Sequence, residues 1–189
     1  EIQFNWDTEK NLWVNTYKTE STHDGNQVIS INYHWNTDTY LWDFVSKYEH
    51  AYDVNGRLTL EAHYRWNAIN NVWQGDYSGK NEYAYDDNGY RTLYAHYNYW
   101  NNETNSWIGS YKSEDVYDAN GITTQSVSYY WNTEENSWEK GNKTDYIQVN
   151  NGKHMLQTSS KWNNKTNSWE EMIYYYYDAE GNFVGTIGS

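Results

Sequence analysis

The sequence predicts an all-β fold: an antiparallel β-meander of about six two-stranded repeats, each roughly 31 residues long. Three observations support this prediction. Tryptophans recur in regular pairs, apolar and polar residues alternate between the pairs, and two kinds of turn motif separate the alternating segments. Because each strand is expected to pair with its neighbours in the chain, the repeats form a strip of sheet that coils and twists. A closed β-barrel is the alternative.

Tryptophans set the length of the repeat. The 12 Trp fall into six pairs, and the members of each pair stand seven residues apart. The first members of successive pairs are separated by 29, 31, 34, 31 and 31 residues, which predicts a single array of repeats over residues 1–189. The pairs are Trp6/Trp13, Trp35/Trp42, Trp66/Trp73, Trp100/Trp107, Trp131/Trp138 and Trp162/Trp169.

The segment before each pair has the period of a β-strand. In the stretch GRLTLEAHYRW, the side chains of Leu58, Leu60, Ala62 and Tyr64 share the parity of Trp66, and polar residues stand between them. Strict alternation over this length indicates a strand with one buried face. Applied to the whole chain, the pattern predicts about thirteen strands of close to ten residues each.

Charged residues recur in the segment after each pair. A Lys stands five residues after the second Trp at positions 18, 47, 112 and 143, and an acidic residue stands seven after it at positions 20, 49, 114 and 145. Odd offsets in a regular strand place both on the face opposite the Trp. The pattern predicts a solvent-exposed face of ion pairs that contribute little stability. A charge ladder that binds a partner is the alternative.

Two turn motifs connect the strands. Asp-x-Asn-Gly occurs at residues 53–56, 86–89 and 118–121, with Asp-Ala-Glu-Gly at residues 178–181, and it fits a type I turn with a glycine bulge. The second motif is a hairpin loop of about six residues within each Trp pair, such as Asn101–Ser106.

Two segments depart from the common length. Asp76–Tyr85 is two residues longer than its counterparts, which keeps the parity of the strand. Tyr90–Trp100 is one residue longer, which reverses the parity and predicts a β-bulge near Tyr97–Tyr99.

The composition excludes several classes of partner. The chain has a formal net charge of −13, and its 13 Lys and Arg are scattered, so it offers no basic surface to nucleic acid or to anionic membranes. No apolar run approaches the ~20 residues of a membrane-spanning helix. The absence of cysteine excludes disulfides and thiolate metal sites. Aromatic residues make up 20% of the chain, so the core is expected to consist of Tyr and Trp.

The motif Tyr-Asp-x-Asn-Gly followed by a strand resembles the tyrosine–aspartate (YD) repeats of the rearrangement-hotspot (Rhs) and teneurin proteins. Asp53–Thr59, with the sequence DVNGRLT, is the closest local match. Together with the motif Trp-Asn-x-x-x-Asn-x-Trp, it is similar to tandem repeats in secreted proteins of Bacteroidetes-type bacteria. The resemblance covers nearly the whole chain and implies a secreted or cell-surface bacterial protein, but no activity. Typical YD repeats are shorter and lack the paired Trp, so their large hollow shells are not implied here.

The Asp-x-Asn-Gly turns offer oxygen atoms of the kind that calcium binds. None has the distal Glu of a complete calcium loop, and turn chemistry alone explains the residues, so no metal site and no cofactor are predicted. The weak calcium candidates are Asp53, Asn55, Asp86, Asn88, Asp118 and Asn120.

No constellation in the sequence indicates catalysis. The six His form no metal-ligand motif, and His63 and His96, at equivalent Ala-His-Tyr positions, are interpreted as cross-strand stacking residues on an outward face. Carboxylates are abundant, but no pair is distinguished from the others, and serine nucleophile elbows and phosphate loops are absent. The chain is not expected to be an enzyme.

The Trp pairs are the candidate ligand-binding residues. Two Trp that flank a hairpin loop are expected to face each other across the strands, and this structural interpretation is preferred because it explains all six pairs. The functional alternative is an aromatic platform on which flat sugar faces stack, repeated along a polymeric ligand. The platform candidates are Trp35, Trp42, Trp66, Trp73, Trp100, Trp107, Trp131 and Trp138.

Three functional hypotheses follow. The first is a non-catalytic extracellular repeat module for binding or display at a bacterial surface, with a polysaccharide or another surface polymer as its partner. The second is a structural protein that self-associates into a fibre or edge-to-edge oligomer, because a meander has open edge strands. The third and weakest is an enzyme or inhibitor with an unrecognised site.

Overall fold

The computed structural model of the chain describes residues 1–9, 11–149 and 154–187. These residues form β-strands and turns, without a helix, and the strand number and typical length agree with the sequence prediction. The thirteen strands are β1 (Ile2–Asp7), β2 (Leu12–Asp24), β3 (Gln27–Asn36), β4 (Leu41–Tyr52), β5 (Leu58–Asn67), β6 (Val72–Tyr85), β7 (Arg91–Asn101), β8 (Ser106–Tyr117), β9 (Thr123–Asn132), β10 (Ser137–Val149), β11 (His154–Asn163), β12 (Ser168–Tyr177) and β13 (Phe183–Ile187).

The strands form a meander. Each is hydrogen-bonded to its neighbours in the chain, so the order within the sheet is β1 to β13, and the predicted all-β antiparallel meander is confirmed. β1 and β13 stand at the two ends of this order, so the sheet is not the closed barrel that the sequence left as the alternative. The coiling of the strip stays a prediction. Within residues 1–9, 11–149 and 154–187, no helix is long and apolar enough to cross a membrane.

Two compact units divide the predicted array of residues 1–189. The first consists of Glu1–Glu82 with Tyr97–Ile108, and the second of Tyr83–His96 with Gly109–Ser189. Among the described residues, the buried apolar side chains of the first unit are Ala62, Tyr97 and Trp107, and that of the second unit is Ala95. Most other aromatic side chains are half-buried or exposed, so each unit has a thin core.

The Asp-x-Asn-Gly turns have the predicted geometry. In the first, Gly56 N donates to Asp53 O at 3.0 Å and Gly56 has a φ of 77°, a left-handed conformation that glycine adopts at no steric cost. Asp53 Oδ1 accepts hydrogen bonds from the backbone N–H groups of Asn55 and Arg57, both at 2.9 Å. The Asp side chain therefore replaces backbone partners that the turn lacks.

The loops within the Trp pairs are held by the Asn that follows the first Trp. Asn67 Oδ1 accepts from the backbone N–H groups of Ile69 at 3.0 Å and Asn70 at 3.2 Å, and Asn67 Nδ2 donates to Gln74 Oε1 at 3.0 Å. The loop ends on Asn71 in the left-handed conformation, with a φ of 56°. One asparagine thus closes the loop and joins it to the next strand.

A β-bulge follows the second Trp in several repeats. In β4, Phe44 pairs with Tyr33 and Ser46 pairs with Asn32, so that Val45 is left without a cross-strand partner. The register of β2 shifts in the same way around Thr16, which also stands three residues after its Trp. Because side chains alternate between the faces of a sheet, the extra residue moves every later side chain of the strand to the other face.

The change of parity predicted in β7 is confirmed. Tyr97 is buried, Tyr99 is 65% exposed, and Trp100 lies against the ring of Tyr64 on the same face as Tyr97. Tyr97 and Trp100 are three positions apart and would lie on opposite faces of a regular strand. The extra residue of this segment is therefore absorbed between them.

The loop of the second repeat contains a strained residue, which gives a test of the turn. Tyr40 has a φ of 56°, whereas Asn occupies the corresponding position at residues 11, 71, 105, 136 and 167 with φ values from 50° to 56°. A left-handed conformation costs most residues about 1–2 kcal/mol and costs Asn less. We expect Tyr40→Asn to raise the free energy of unfolding by about 1 kcal/mol in urea titrations, because Tyr40 is 74% exposed and loses little packing. The reverse change, Asn71→Tyr, should lower it, and an unchanged or lower stability of Tyr40→Asn would contradict this account.

Candidate functional site

The members of each Trp pair face each other across a hairpin, as the sequence predicts. Trp35 is paired with Trp42 in the register of β3 and β4, and their ring centroids lie 5.0 Å apart at an interplanar angle of 69°. All six pairs have this edge-to-face arrangement, with centroid distances from 5.0 to 5.5 Å. Such contacts contribute about 0.5–1.5 kcal/mol beyond the buried area.

In the four pairs from Trp66/Trp73 onward, the Trp rings contact the residue that stands two positions after the preceding pair. Phe44 has its ring centroid 4.8 Å from that of Trp66 and 5.5 Å from that of Trp73. Further along the chain, Lys140 Nζ lies 4.1 Å from the ring centroid of Trp162, a cation–π contact. The pairs therefore pack on the repeat before them.

Glycine occupies this covering position in two repeats, because the following indole lies directly on the backbone. A Cβ built on Gly75 would lie 2.4 Å from Trp107 Cη2, and a Cβ built on Gly109 would lie 2.4 Å from Trp131 Cε3. Trp107 is 8% exposed as a result of this close approach. The two glycines are required here for space and not for an unusual backbone conformation.

Burial of the Trp side chains limits how much ring surface the predicted platform can offer to a sugar. Of the eight candidates, Trp107 is buried and the other seven are half-buried. The exposed pair is the one at the start of the chain, where Trp6 is 46% and Trp13 is 65% exposed, and within this sequence no earlier repeat covers it. The half-buried candidates are Trp35, Trp42, Trp66, Trp73, Trp100, Trp131 and Trp138.

The recurring Lys forms the predicted ion pair with the acidic residue two positions later. The predicted face is wrong, because the Lys does not lie opposite the Trp side chains. Because Val45 is a bulge, Lys47 is moved to the face of the Trp side chains and is paired with Tyr64 across β4 and β5. Lys47 Nζ lies 4.2 Å from the ring centroid of Tyr64 and 5.7 Å from that of Trp73. The Lys side chain is only 18% exposed, so this position is packed among aromatic rings.

Lys, Glu and Tyr form a triad that recurs in four repeats. In each triad the ammonium lies 4.0–4.2 Å from the Tyr ring centroid and 2.6–3.0 Å from a carboxylate oxygen two residues further along its strand. The Tyr hydroxyl donates to the same carboxylate, at 3.1 Å in one triad and 2.9 Å in another. The triads are Lys18/Glu20/Tyr33, Lys47/Glu49/Tyr64, Lys80/Glu82/Tyr97 and Lys112/Glu114/Tyr129.

These contacts shift the pKa values of the Tyr hydroxyl and of the Glu carboxyl in the triads. Burial, with the hydrogen bond to Glu20, raises the pKa of Tyr33 to about 12, and burial, with the Glu49 charge, raises the pKa of Tyr64 to about 12. Hydrogen bonds from Tyr33 and Lys18 lower the pKa of Glu20. Since the ordinary pKa of a phenol is 10.0, the tyrosines stabilise the folded chain below pH 10, and this contribution is lost as the pH rises through about 12.

A polar pocket lies where β6 is lengthened. Lys80 pairs with Ala62 and Gly75 pairs with Tyr64, so the intervening residues 76–79 bulge out of the ladder. This is where the sequence has two extra residues. The bulge borders a pocket of about 150 Å³ within the first unit, whose wall includes the half-buried ring of Trp100.

Amide groups and aromatic rings line this pocket. Gln74 Nε2 donates to Asn102 Oδ1 at 2.7 Å, and Asn98 Oδ1 is buried with no hydrogen-bond partner among the described residues. Tyr77 is 92% exposed and Tyr99 is 65% exposed, so both rings stand at the opening. The lining also contains one cation, Arg65, and one carboxylate, Asp76, whose formal charges cancel. With its exposed aromatic faces and fixed donors and acceptors, the pocket suits a neutral polar ligand.

Sequence reasoning missed the pocket, apart from Trp100. The signal that could have found it is the pair of length irregularities, two residues in Asp76–Tyr85 and one in Tyr90–Trp100, which fall on adjacent strands. Irregularities in a repeat are frequent at functional sites, because bulges redirect side chains.

The turn carboxylates proposed as weak calcium candidates already have partners. Asp53 Oδ2 accepts from Arg57 Nε at 2.6 Å in addition to the backbone bonds of the turn, and hydrogen bonds from Arg57 lower the pKa of Asp53. Asp86 and Asp118 accept from backbone N–H groups in the same way. The candidate Asn55, Asn88 and Asn120 are exposed at the turn tips, and the geometry is explained by the turns themselves.

The histidines are brought into two kinds of environment. His63 stacks edge-to-face on Tyr48 with centroids 4.8 Å apart, which agrees with the predicted cross-strand stacking. The same residue also lies in a group with His50 and Glu61, whose ligating atoms are all within 4.8 Å of one another. The sequence predicts no such group, because its members are assembled by the register between β4 and β5.

The contact between Gly75 and Trp107 gives a direct test of how repeats pack. We expect Gly75→Ala to lower the free energy of unfolding by about 1–3 kcal/mol, because the added methyl group overlaps a buried ring in a well-packed site. Denaturant unfolding followed by Trp fluorescence measures the change. Gly185→Ala is the matched control, since its Cβ meets no atom within 4 Å. Equal effects of the two substitutions would contradict the packing described.

No protein-family model matches the chain, and no curated protein matches it. Solved structures similar to it include a DUF3836 family protein from Bacteroides vulgatus, which is 23% identical, covers 52% of this chain and 98% of that chain, and has a TM-score of 0.43. A protein with unknown function from Bacteroides fragilis is 21% identical over 69% of this chain and 91% of that chain, with a TM-score of 0.37. A DUF3836 family protein from Parabacteroides distasonis is 15% identical over 53% of this chain and 93% of that chain, with a TM-score of 0.37. These similarities are too distant to show the family of this chain.

Proposed function

We propose that the chain is a non-catalytic binding module of a secreted or cell-surface bacterial protein, and that its ligand is a neutral glycan bound at the pocket beside Trp100. The observation that carries this proposal is the pocket itself. It joins two exposed Tyr rings and a Trp to a buried amide oxygen, Asn98 Oδ1, that has no partner among the described residues.

The chemistry of the pocket matches that of a sugar. Aromatic rings offer flat apolar faces to the C–H groups of a pyranose, and amide side chains donate to and accept from its hydroxyl groups. An acceptor that is buried without a partner is costly, and a sugar hydroxyl that donates to Asn98 Oδ1 would remove this cost. The formal net charge of −13 disfavours acidic polysaccharides.

A single site is favoured over a continuous platform. The pocket depends on extra residues that occur in one repeat only, and the Trp pairs elsewhere are largely covered by neighbouring side chains. Binding is therefore proposed with a stoichiometry of one glycan segment per chain, and the avidity expected of regularly spaced platforms is not needed.

The number of carboxylates that line the pocket supports a non-catalytic role. Glycoside hydrolysis commonly needs two carboxyl groups that flank the scissile bond. Among the residues that line the pocket, Asp76 carries the one carboxylate, and its Oδ1 accepts a hydrogen bond from the backbone N–H of Ser78 at 2.8 Å. This arrangement supports recognition of a sugar without its cleavage.

Calorimetric titration tests the proposal with cellohexaose, mannohexaose and chitohexaose as neutral probes and polygalacturonate as an acidic one. We expect one-to-one binding of at least one neutral probe, and Tyr77→Ala and Asn98→Ala each to weaken it by about tenfold, or ~1.4 kcal/mol. Tyr40→Ala is the control, because Tyr40 is also a highly exposed Tyr but does not line the pocket. Failure of all neutral probes to bind, or unchanged binding by both pocket variants, would contradict the proposal.

A second proposal is association of copies through the first hairpin. Trp6 and Trp13 are the exposed Trp pair, and Phe4 beside them is 53% exposed, so an apolar surface continues along β1. Sedimentation velocity should then show oligomers that increase with concentration and with salt, because salt screens the net negative charge. Trp13→Ser should reduce them, whereas Ile69→Ser, which changes another exposed apolar residue, should not. A monomer at all concentrations and salt levels would rule out this role.

A further inference from the structure

We propose that His50, Glu61 and His63 form a binding site for a single zinc ion on the β4–β5 hairpin. Each of the three residues offers one ligating atom, and these atoms all lie within 4.8 Å of one another. All three side chains are half-buried.

The register of the hairpin places the three residues on one face. His50 is paired with Glu61, and Tyr48, two residues before His50, is paired with His63, two residues after Glu61. Because residues two apart in a strand point to the same side, His50, Glu61 and His63 project together. This is the face opposite Lys47 and Tyr64, so the proposed metal site does not involve a Lys/Glu/Tyr triad.

The donor set selects the metal. Two imidazole nitrogens and one carboxylate oxygen form a ligand set that zinc uses when one coordination position remains for water. Zinc–ligand distances of about 2.0–2.2 Å place the ligands of one tetrahedral ion about 3.4 Å apart. Small side-chain rotations, without a change in backbone register, are sufficient to bring a group that already lies within 4.8 Å to this geometry. Calcium prefers six to eight oxygen ligands and is poorly matched to two imidazoles.

Neighbouring side chains hold two of the ligands in place. Asn81 Nδ2 donates to Glu61 Oε1 at 2.8 Å, and the ring of Tyr48 contacts His63 edge-to-face at 4.8 Å. Contacts of this kind orient metal ligands and reduce the conformational freedom that binding has to remove. Glu61 and His63 are thus positioned from β6 and from β4, the strands on either side of β5.

Corresponding positions in other repeats lack the ligand set. One repeat earlier, Ser21 and Ser30 occupy the positions of His50 and Glu61, and their hydroxyl groups hydrogen-bond to each other at 2.8 Å. In the β8–β9 hairpin the same positions are Asp115 and Ser126. The repeat architecture itself therefore does not require imidazole and carboxylate groups here. A zinc ion would join β4 to β5 through side chains, in addition to the backbone ladder.

Calorimetric titration of the full chain with zinc chloride tests the inference, and two variants isolate the ligand atoms. His63→Phe removes a ligand nitrogen and keeps a ring against Tyr48. Glu61→Gln removes the charge and keeps an acceptor for Asn81. We expect saturable one-to-one binding by the unmodified chain, and weakening by about tenfold or more in each variant. Far-UV circular dichroism of each variant establishes that the sheet is retained.

The control is His34→Phe. His34 also stacks edge-to-face on a cross-strand tyrosine, Tyr17, with centroids 5.5 Å apart, but it is not part of the group. This variant should bind zinc as the unmodified chain does, and the unmodified chain should give the visible absorption of tetrahedral cobalt when Co²⁺ replaces zinc. Absence of saturable zinc binding, unchanged binding by His63→Phe and Glu61→Gln, or equal weakening by His34→Phe would each overturn the proposal.

Discussion

From Trp66/Trp73 onward, the Trp pairs depend on the preceding repeat for the surface that covers them, and much of the structure follows from this dependence. The described strands belong to one sheet, without a helix or a second sheet to pack on. Apolar groups must therefore be buried by neighbours along the chain, as in other repeat architectures. Phe44, Gly75 and Gly109 show two solutions to the same requirement. Phe44 supplies a ring beneath the next pair, whereas Gly75 and Gly109 have no side chain, so that an indole of the next pair can reach the backbone.

The bulge that follows the second Trp in several repeats explains why polar side chains contribute to packing. By shifting the parity of the strand, it brings Lys47 beneath aromatic rings, where the ammonium is bound by a π face and by Glu49 together. The Tyr hydroxyl that completes the triad satisfies the carboxylate as well. A chain with few aliphatic residues can thus build a thin core from long amphipathic side chains whose polar ends are paired. Where the repeat is lengthened in β6, the same packing opens into the pocket proposed for a glycan.

Spacing in the sequence was sufficient to predict the strands, the Trp pairs and both turn types, because each depends on residues close together in the chain. The bulges at Thr16 and Val45 could not be predicted, since both are β-branched residues that are equally common in regular strands, and only the pairing with the preceding strand reveals the shift. For this reason the Lys and Glu residues were assigned to the wrong face. The pocket and the group around Glu61 were missed for a related reason, because both combine residues from different strands whose register the sequence does not specify.

The central claim is that repeats are stabilised by their neighbours and not by a shared core. Native-state hydrogen exchange, resolved to individual amides, tests it most directly. In the first unit, amides of β1 and β2, whose Trp pair is exposed, should exchange through local opening at a lower free energy than amides of β5 and β6, whose Trp pair is covered by Phe44. Equal exchange free energies in all of these strands would indicate one cooperative core and would contradict the account.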